Sequence, residues 1–368
     1  MWKIDHSKDF EVYSFANVYV EDLLKWSYGN KTKFQDINAI AKWSKMKQPN
    51  DLDFIKRIKE ISRKRKKVRL HMYTLHNYDK KKIKEIINLH NYLGGNYTRI
   101  LKGESDGIIL PDEETNKELN GIFKYAYEEM LYKESFWKVY GKTKTVSNEE
   151  IRTRISSKIK VCPYCDKSTT SFTEVNVDHF LPKSQFPLLS IYWKNFVLAC
   201  NTCNNYLNKG EKWYLPVLHP FFDEINKKLK FEFFPESKTV NIKPVSTKGL
   251  ENLRTENFIK LLNLRERYRA VWPFTFQSTL EELIKSELHN YSRYKRNYNR
   301  DSWIKSYAGV IQKNKSKLEK YIGEDTMIKL NLDYCDHVEN NDQSYWSQHL
   351  KVLIQKRKEM LTVMREEF

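Results

Sequence analysis

No stretch of this 368-residue chain approaches the roughly 18 consecutive apolar residues of a membrane-crossing helix, which excludes a helical bilayer span. Met1 to His6 leads into a charged segment and has no apolar signal region, so the expected location is the cytoplasm. Cysteine is scarce: there are five, four of them in two Cys-x-x-Cys pairs and the fifth, Cys335, alone. A secreted disulfide scaffold would carry a denser, even-numbered set. Cys335 is therefore expected to be a buried small hydrophobe, although His337 follows closely. There is no Gly-x-x-x-x-Gly-Lys-Ser/Thr phosphate loop, so any ATP chemistry must belong to another chain. No internal repeat is evident. Acids are in deficit, 47 against 65 Lys and Arg, for a net charge of +18. Such an excess calls for an anionic partner, with nucleic acid the first candidate and a membrane surface the second.

Apolar residues make up 40% of the chain, which argues against overall disorder and for a substantial core. The expected fold class is α+β: a mostly helical protein around a small central module. Three regions are expected: a basic helical part over 1–150, the module over 151–220, and a short hairpin followed by helices over 221–368. Apolar spacing predicts one long helix over 115–140. Gly94-Gly95 and the stretch from Gly103 to Pro111 read as turns, and Lys142 to Glu149 as a linker. Residues 230–234 and 239–242 read as two short strands. Thr255 reads as the cap of a helix, and Ser278 with Glu281 as a capping box. Arg63, Lys64, Arg65, Lys66, Lys67 and Arg69 form a basic run that suits phosphate binding or a solvated helix end.

The two cysteine pairs are Cys162-Pro163-Tyr164-Cys165 and Cys200-Asn201-Thr202-Cys203, with 34 residues between them. Two such knuckles suit one tetrahedral zinc ion, each supplying two thiolates from a tight turn. A full thiolate shell leaves no position for water or substrate, so this Zn2+ is expected to be structural. A redox dithiol or two disulfides are the competing readings.

Between the pairs lies Val177-Asp178-His179-Phe180, and just beyond them Asn204. On a strand, Asp178 and His179 point to opposite sides, so one can bind metal while the other acts as base. Phosphate hydrolysis needs such a base and a hard divalent ion. Asn204, where a helix would start, supplies a further oxygen.

These residues resemble the HNH, or ββα-metal, nuclease superfamily over Cys162 to Gly210. The resemblance implies His179 as general base and Asp178 as metal ligand. It implies Asn195 as the residue that ties the loop and orients the base, and Asn204 as second ligand. Asn replaces His at that last position, and the oxygen shell suits Mg2+ or Mn2+. Asn208, four residues on, is a further ligand candidate. Lys183 and Lys209 are candidate nucleic-acid contacts. Tyr214-Leu215-Pro216, His219-Pro220 and the run from Thr255 to Leu264 resemble a bacterial subgroup that includes the PtuB-type nucleases of Septu and retron anti-phage defence. That resemblance implies cleavage of DNA, mainly double-stranded, under control of a separate ABC-type or SMC-like ATPase; homo-oligomerisation stays open. An autonomous restriction or homing-type endonuclease is the alternative, and an inactive zinc-containing DNA-binding subunit a third reading.

Overall fold

The computed structural model describes residues 3, 7–30, 32–104, 108–141, 144–158, 160–169, 175–294 and 298–366. Most of the N-terminal lead, part of the turn expected over 103–111 and part of the linker expected from Lys142 fall outside the described residues. The described chain is mainly helical around two small antiparallel hairpins.

The N-terminal part contains α1 (Ala16–Gly29), α2 (Ile37–Lys45), α3 (Asp53–Lys64), α4 (Lys66–His76), α5 (Lys80–Lys102) and α6 (Glu113–Tyr125). Asp79 caps α5 by accepting from the Lys82 N–H at 2.7 Å, and Gly103 ends it in the left-handed conformation. The turn expected at Gly94-Gly95 is not there: α5 runs straight through both glycines. Each glycine costs a helix about 1 kcal/mol relative to alanine. Burial of Leu93, Tyr97, Ile100 and Leu101 along the same helix outweighs that penalty.

The single helix expected over 115–140 is broken. After α6 the backbone widens into a π turn at Ala126–Met130 and then restarts as α7 (Glu134–Tyr140). Apolar spacing alone could not register this shift, because residues on both sides of the π turn remain buried. Helix α8 (Asn148–Lys158) then leads to the first cysteine knuckle.

Strands β1 (Val175–His179) and β2 (Phe196–Cys200) pair antiparallel, with Val175 opposite Cys200 and His179 opposite Phe196. All five residues of β2 are buried, as their continuous apolar run implies. The N-terminal segment packs on this strand, with the rings of Phe10 and Phe196 edge-on at 5.7 Å. Beyond β2 the chain runs through successive turns over 201–211. The helix expected to open at Asn204 is thus replaced by turns, closed by bonds such as Gly210 N–H to Asn205 C=O at 2.9 Å.

The second hairpin, β3 (Leu229–Phe234) and β4 (Thr239–Pro244), falls where alternation placed it. Helices α9 (Gly249–Leu261), α10 (Leu264–Tyr268), α11 (Phe274–Tyr294), α12 (Arg300–Glu319), α13 (Ile328–Asn341) and α14 (Gln343–Glu366) complete the chain. Thr255 and Ser278 are not caps. Both lie inside helices, with hydroxyls donating to the carbonyls of Glu251 and Phe274 four residues back. Cys335 is buried, as expected. A continuous apolar core runs from Phe10 to Ile354 and encloses the β1–β2 hairpin. Among the described residues no helix is long and apolar enough to cross a membrane.

Candidate active site

The four knuckle cysteines converge. Their sulfurs all lie within 4.8 Å of one another, Cys162 to Cys203 at 3.9 Å and Cys165 to Cys200 at 3.7 Å. A tetrahedron with 2.3 Å zinc–sulfur bonds has edges of roughly 3.8 Å, which these two separations match, so the cluster suits Zn2+. None of the four is in a disulfide. The C-terminal region closes around the cluster. Arg267 donates to the Cys203 sulfur at 3.1 Å, and the Tyr268 hydroxyl donates to the Cys165 carbonyl. Asp166 accepts from the Lys329 N–H at 3.0 Å, and its carbonyl accepts from Met327 N–H at 3.0 Å.

Asp178, near the end of β1, is buried. One carboxylate oxygen accepts from the Tyr164 hydroxyl at 2.7 Å and the other from the Lys209 ammonium at 3.0 Å. Burial pushes the Asp178 carboxyl above its usual range, against the opposing pull of Lys209 and the Tyr164 hydroxyl. Each oxygen still has a lone pair for a cation. Lys209 is fully buried and also donates to the His179 carbonyl at 2.7 Å, so it lies beneath the site rather than facing a phosphate from solvent.

His179 occupies the other side of the strand end. Its Nε2 lies 2.9 Å from the Ser190 carbonyl. A carbonyl only accepts, so Nε2 carries the proton and Nδ1 keeps its lone pair. The ring is fixed edge-on by Tyr127 at 4.5 Å and Phe196 at 5.2 Å. Burial lowers the imidazole pKa to about 3, with Lys183 and Lys209 adding to the depression and the Ser190 bond opposing it. The group is therefore neutral at physiological pH.

Asn195 holds the intervening loop. Its Oδ1 accepts from the Leu181 N–H and the Tyr97 hydroxyl, both at 2.8 Å, and its Nδ2 donates to the Leu181 carbonyl at 2.9 Å. Tyr97 comes from α5, so the first half of the chain helps to set this loop.

Asp178, His179 and Asn204 line one cavity of about 200 Å3, with Pro182, Lys183, Ser184, Gly210 and Glu211 on its walls. The Ser184 hydroxyl is buried without a hydrogen-bond partner among the described residues. The carboxylate of Asp178, the amide of Asn204 and this hydroxyl thus come from residues that share one cavity. Asn208 is placed elsewhere: its amide donates to the Thr202 carbonyl at 2.6 Å and closes the turn. Lys183 reaches the cavity but pairs with Glu128 at 2.6 Å.

The basic run sits at the α3–α4 junction and is not among the residues that line the cavity. There Lys64 pairs with Glu60 at 2.6 Å, and Arg63 and Arg69 donate to the Ser44 and Ser62 carbonyls at 2.6 Å. Arg65 donates to Ser135 at 2.9 Å, and Lys67 lies over the Tyr125 ring. Lys66 is exposed. Glu211, Tyr164, Tyr127 and Arg267 carried no distinguishing signal in the sequence. They join the site through turns, the π turn and the distant α10.

Residues 162–210 match the HNH endonuclease family. The Septu protein PtuB of Bacillus thuringiensis is 24% identical over 148 residues, covering 39% of this chain and 52% of that protein. The match thus spans about half the length of that relative. No solved structure matches the chain. The stretch from the first cysteine knuckle to the turns after the second thus matches an HNH endonuclease domain and carries a four-cysteine cluster able to hold a metal ion.

Proposed function

We propose that this chain is a metal-dependent endonuclease that hydrolyses DNA phosphodiester bonds in the cytoplasm. The observation that carries this reading is the His179 ring, neutral and locked with Nδ1 free, in the same cavity as Asp178 and Asn204. Nδ1 takes a proton from the attacking water as the new phosphorus–oxygen bond forms and the bond to the leaving oxygen breaks. The imidazolium that results stays hydrogen-bonded to Ser190 and then returns its proton to solvent. Asp178 and Asn204 would hold Mg2+ or Mn2+, which supplies charge stabilisation to the phosphate and the leaving oxygen. Tyr164 and Lys209 orient the Asp178 carboxylate, and Asn195 keeps the loop that carries Ser190 in place. The zinc cluster shapes the site without chemistry of its own.

The likeness to the Septu protein PtuB supports a role as effector nuclease in an anti-phage defence complex with a partner ATPase. The free thiols suit a reducing compartment. A cleavage assay on plasmid, linear duplex, single-stranded DNA and RNA tests the chemistry, with Mg2+ or Mn2+ and with and without the proteins encoded beside it. Dependence of cutting on an ATPase neighbour supports the defence reading. Sequence-defined cutting by the pure chain favours an autonomous enzyme. Co-purification of the nuclease alone removes the complex.

A further inference from the structure

The turns after the second knuckle hold two side chains that the chemistry above does not use. Tyr206 and Leu207 are 84% and 77% exposed, in succession, within an otherwise polar run of Asn204, Asn205 and Asn208. The turns that present them are held on several sides. Lys209 N–H donates to the Cys203 carbonyl, the Lys209 ammonium is buried under Asp178, and the Lys212 ammonium donates to the carbonyls of Leu207 and Asn208. Gly210 has φ +48°, and a Cβ there would come within 3.1 Å of the Tyr206 Cα and carbonyl oxygen. The Tyr206 backbone is thus packed closely against Gly210, which lines the catalytic cavity together with Asn204. Two large, exposed side chains are carried on a braced turn whose ends, Asn204 and Gly210, line the catalytic cavity.

We propose that Tyr206 and Leu207 form a wedge that unstacks DNA beside the scissile phosphate. Tyr206 stacks on a base and Leu207 fills the step that opens. DNA with an unpaired or mismatched base at that step is then held more tightly than continuous duplex. The placement of the phosphate rests on the nuclease reading. The rest follows from chemistry. Base faces are apolar and π-rich, and aromatic stacking tolerates any sequence. Apolar side chains that enter a base step kink the duplex, and the work of unstacking is smallest where pairing is already lost. A braced turn does not have to be ordered first. The asparagines around the pair and the net charge of +18 suit nucleic acid better than an apolar protein surface.

The test uses the full chain as His179→Ala, so that DNA stays intact. Its ligands are duplexes carrying 2-aminopurine at successive positions, either matched or with one mismatch. We expect a fluorescence rise confined to one or two positions, and tighter binding of the mismatched duplex. Adding Tyr206→Ala and Leu207→Ala should abolish the rise and weaken mismatched binding on the order of tenfold, with zinc content unchanged. Restoring position 206 as phenylalanine should recover stacking. The proposal is overturned if the alanine variants unstack and bind DNA as the parent does, as they would if the pair served a protein partner. A loss that comes with zinc release, or that phenylalanine does not restore, marks a structural role and overturns it as well. Cleavage of the same duplexes by the wild-type chain is followed separately. Unstacking without cleavage, both alone and with the proteins encoded beside it, removes the nuclease reading and leaves the wedge, whereas cleavage without unstacking removes the wedge alone.

Discussion

Lys209 sets the electrostatics of the centre. Its ammonium is fully buried and is shared between the Asp178 carboxylate and the His179 carbonyl. Removing one partner of a buried ion pair leaves the other charge without compensation, at about 3–5 kcal/mol. Lys209→Met should therefore lower unfolding stability by about that amount, read from urea denaturation. Asp178→Asn in the same background should recover part of the loss, because the orphaned charge is then gone. Asn195→Ala frees the Leu181 backbone and the Tyr97 hydroxyl together. It should slow turnover at least tenfold while zinc content is retained, because the loop that holds His179 loosens. Asp178, His179 and Asn204 were singled out in the sequence by their places between and just after the cysteine knuckles, Asn195 only through the family resemblance, and the structure brings the first three to one cavity. The buried role of Lys209 was not, since a lysine beside Gly210 reads as a surface cation until the turn is seen to fold under Asp178.

At the scale of elements, the π turn at Ala126–Met130 and the clasp around the cysteines do most to position the site. A single π turn inside a helix is a recurrent device at functional sites. Here it brings Tyr127 against the His179 ring and Glu128 to Lys183. Tyr127→Ala should reduce stability by about 3 kcal/mol through the cavity it leaves. Its kcat should fall with KM nearly unchanged, because the base loses its packing while substrate contacts remain. The clasp joins the knuckles to α10 and to the start of α13 through Arg267, Tyr268 and Lys329. Chelating the zinc should therefore expose more than the hairpin. Limited proteolysis should cut within 160–215, and the packing of α13 should loosen in hydrogen exchange. The β3–β4 hairpin was legible because alternation over six residues has few other meanings. The turns that replace the expected helix after Cys203 were not, because their bonds are set by Asn205, Gly210 and the zinc knuckle rather than by propensity. Gly94-Gly95 misled for the opposite reason: local chemistry favoured a break, and the buried face of α5 prevailed.

For the molecule as a whole, buried neutral histidines govern the response to acid. Burial lowers the pKa of His71 and His90 to about 4 and of His179 and His219 to about 3. Unfolding returns each to about 6.5. Between those limits the unfolded chain binds more protons, so stability is retained above about pH 6.5 and falls as pH drops toward 4. Each histidine contributes up to about 1.4 kcal/mol per pH unit inside that window. Melting temperatures at pH 7.5, 6, 5 and 4 should decline steadily, and calorimetry should detect proton uptake on unfolding. The excess of positive charge predicts DNA affinity that falls steeply with salt. The central claim is that His179 is the base of a DNA-cutting centre, and plasmid cleavage in Mg2+ by zinc-matched wild type and His179→Ala, each with the proteins encoded beside it, tests it most directly. The account predicts nicking by the wild type and a loss of about 10²–10⁴-fold in the variant, with DNA binding intact; equal cleavage by the two would contradict it.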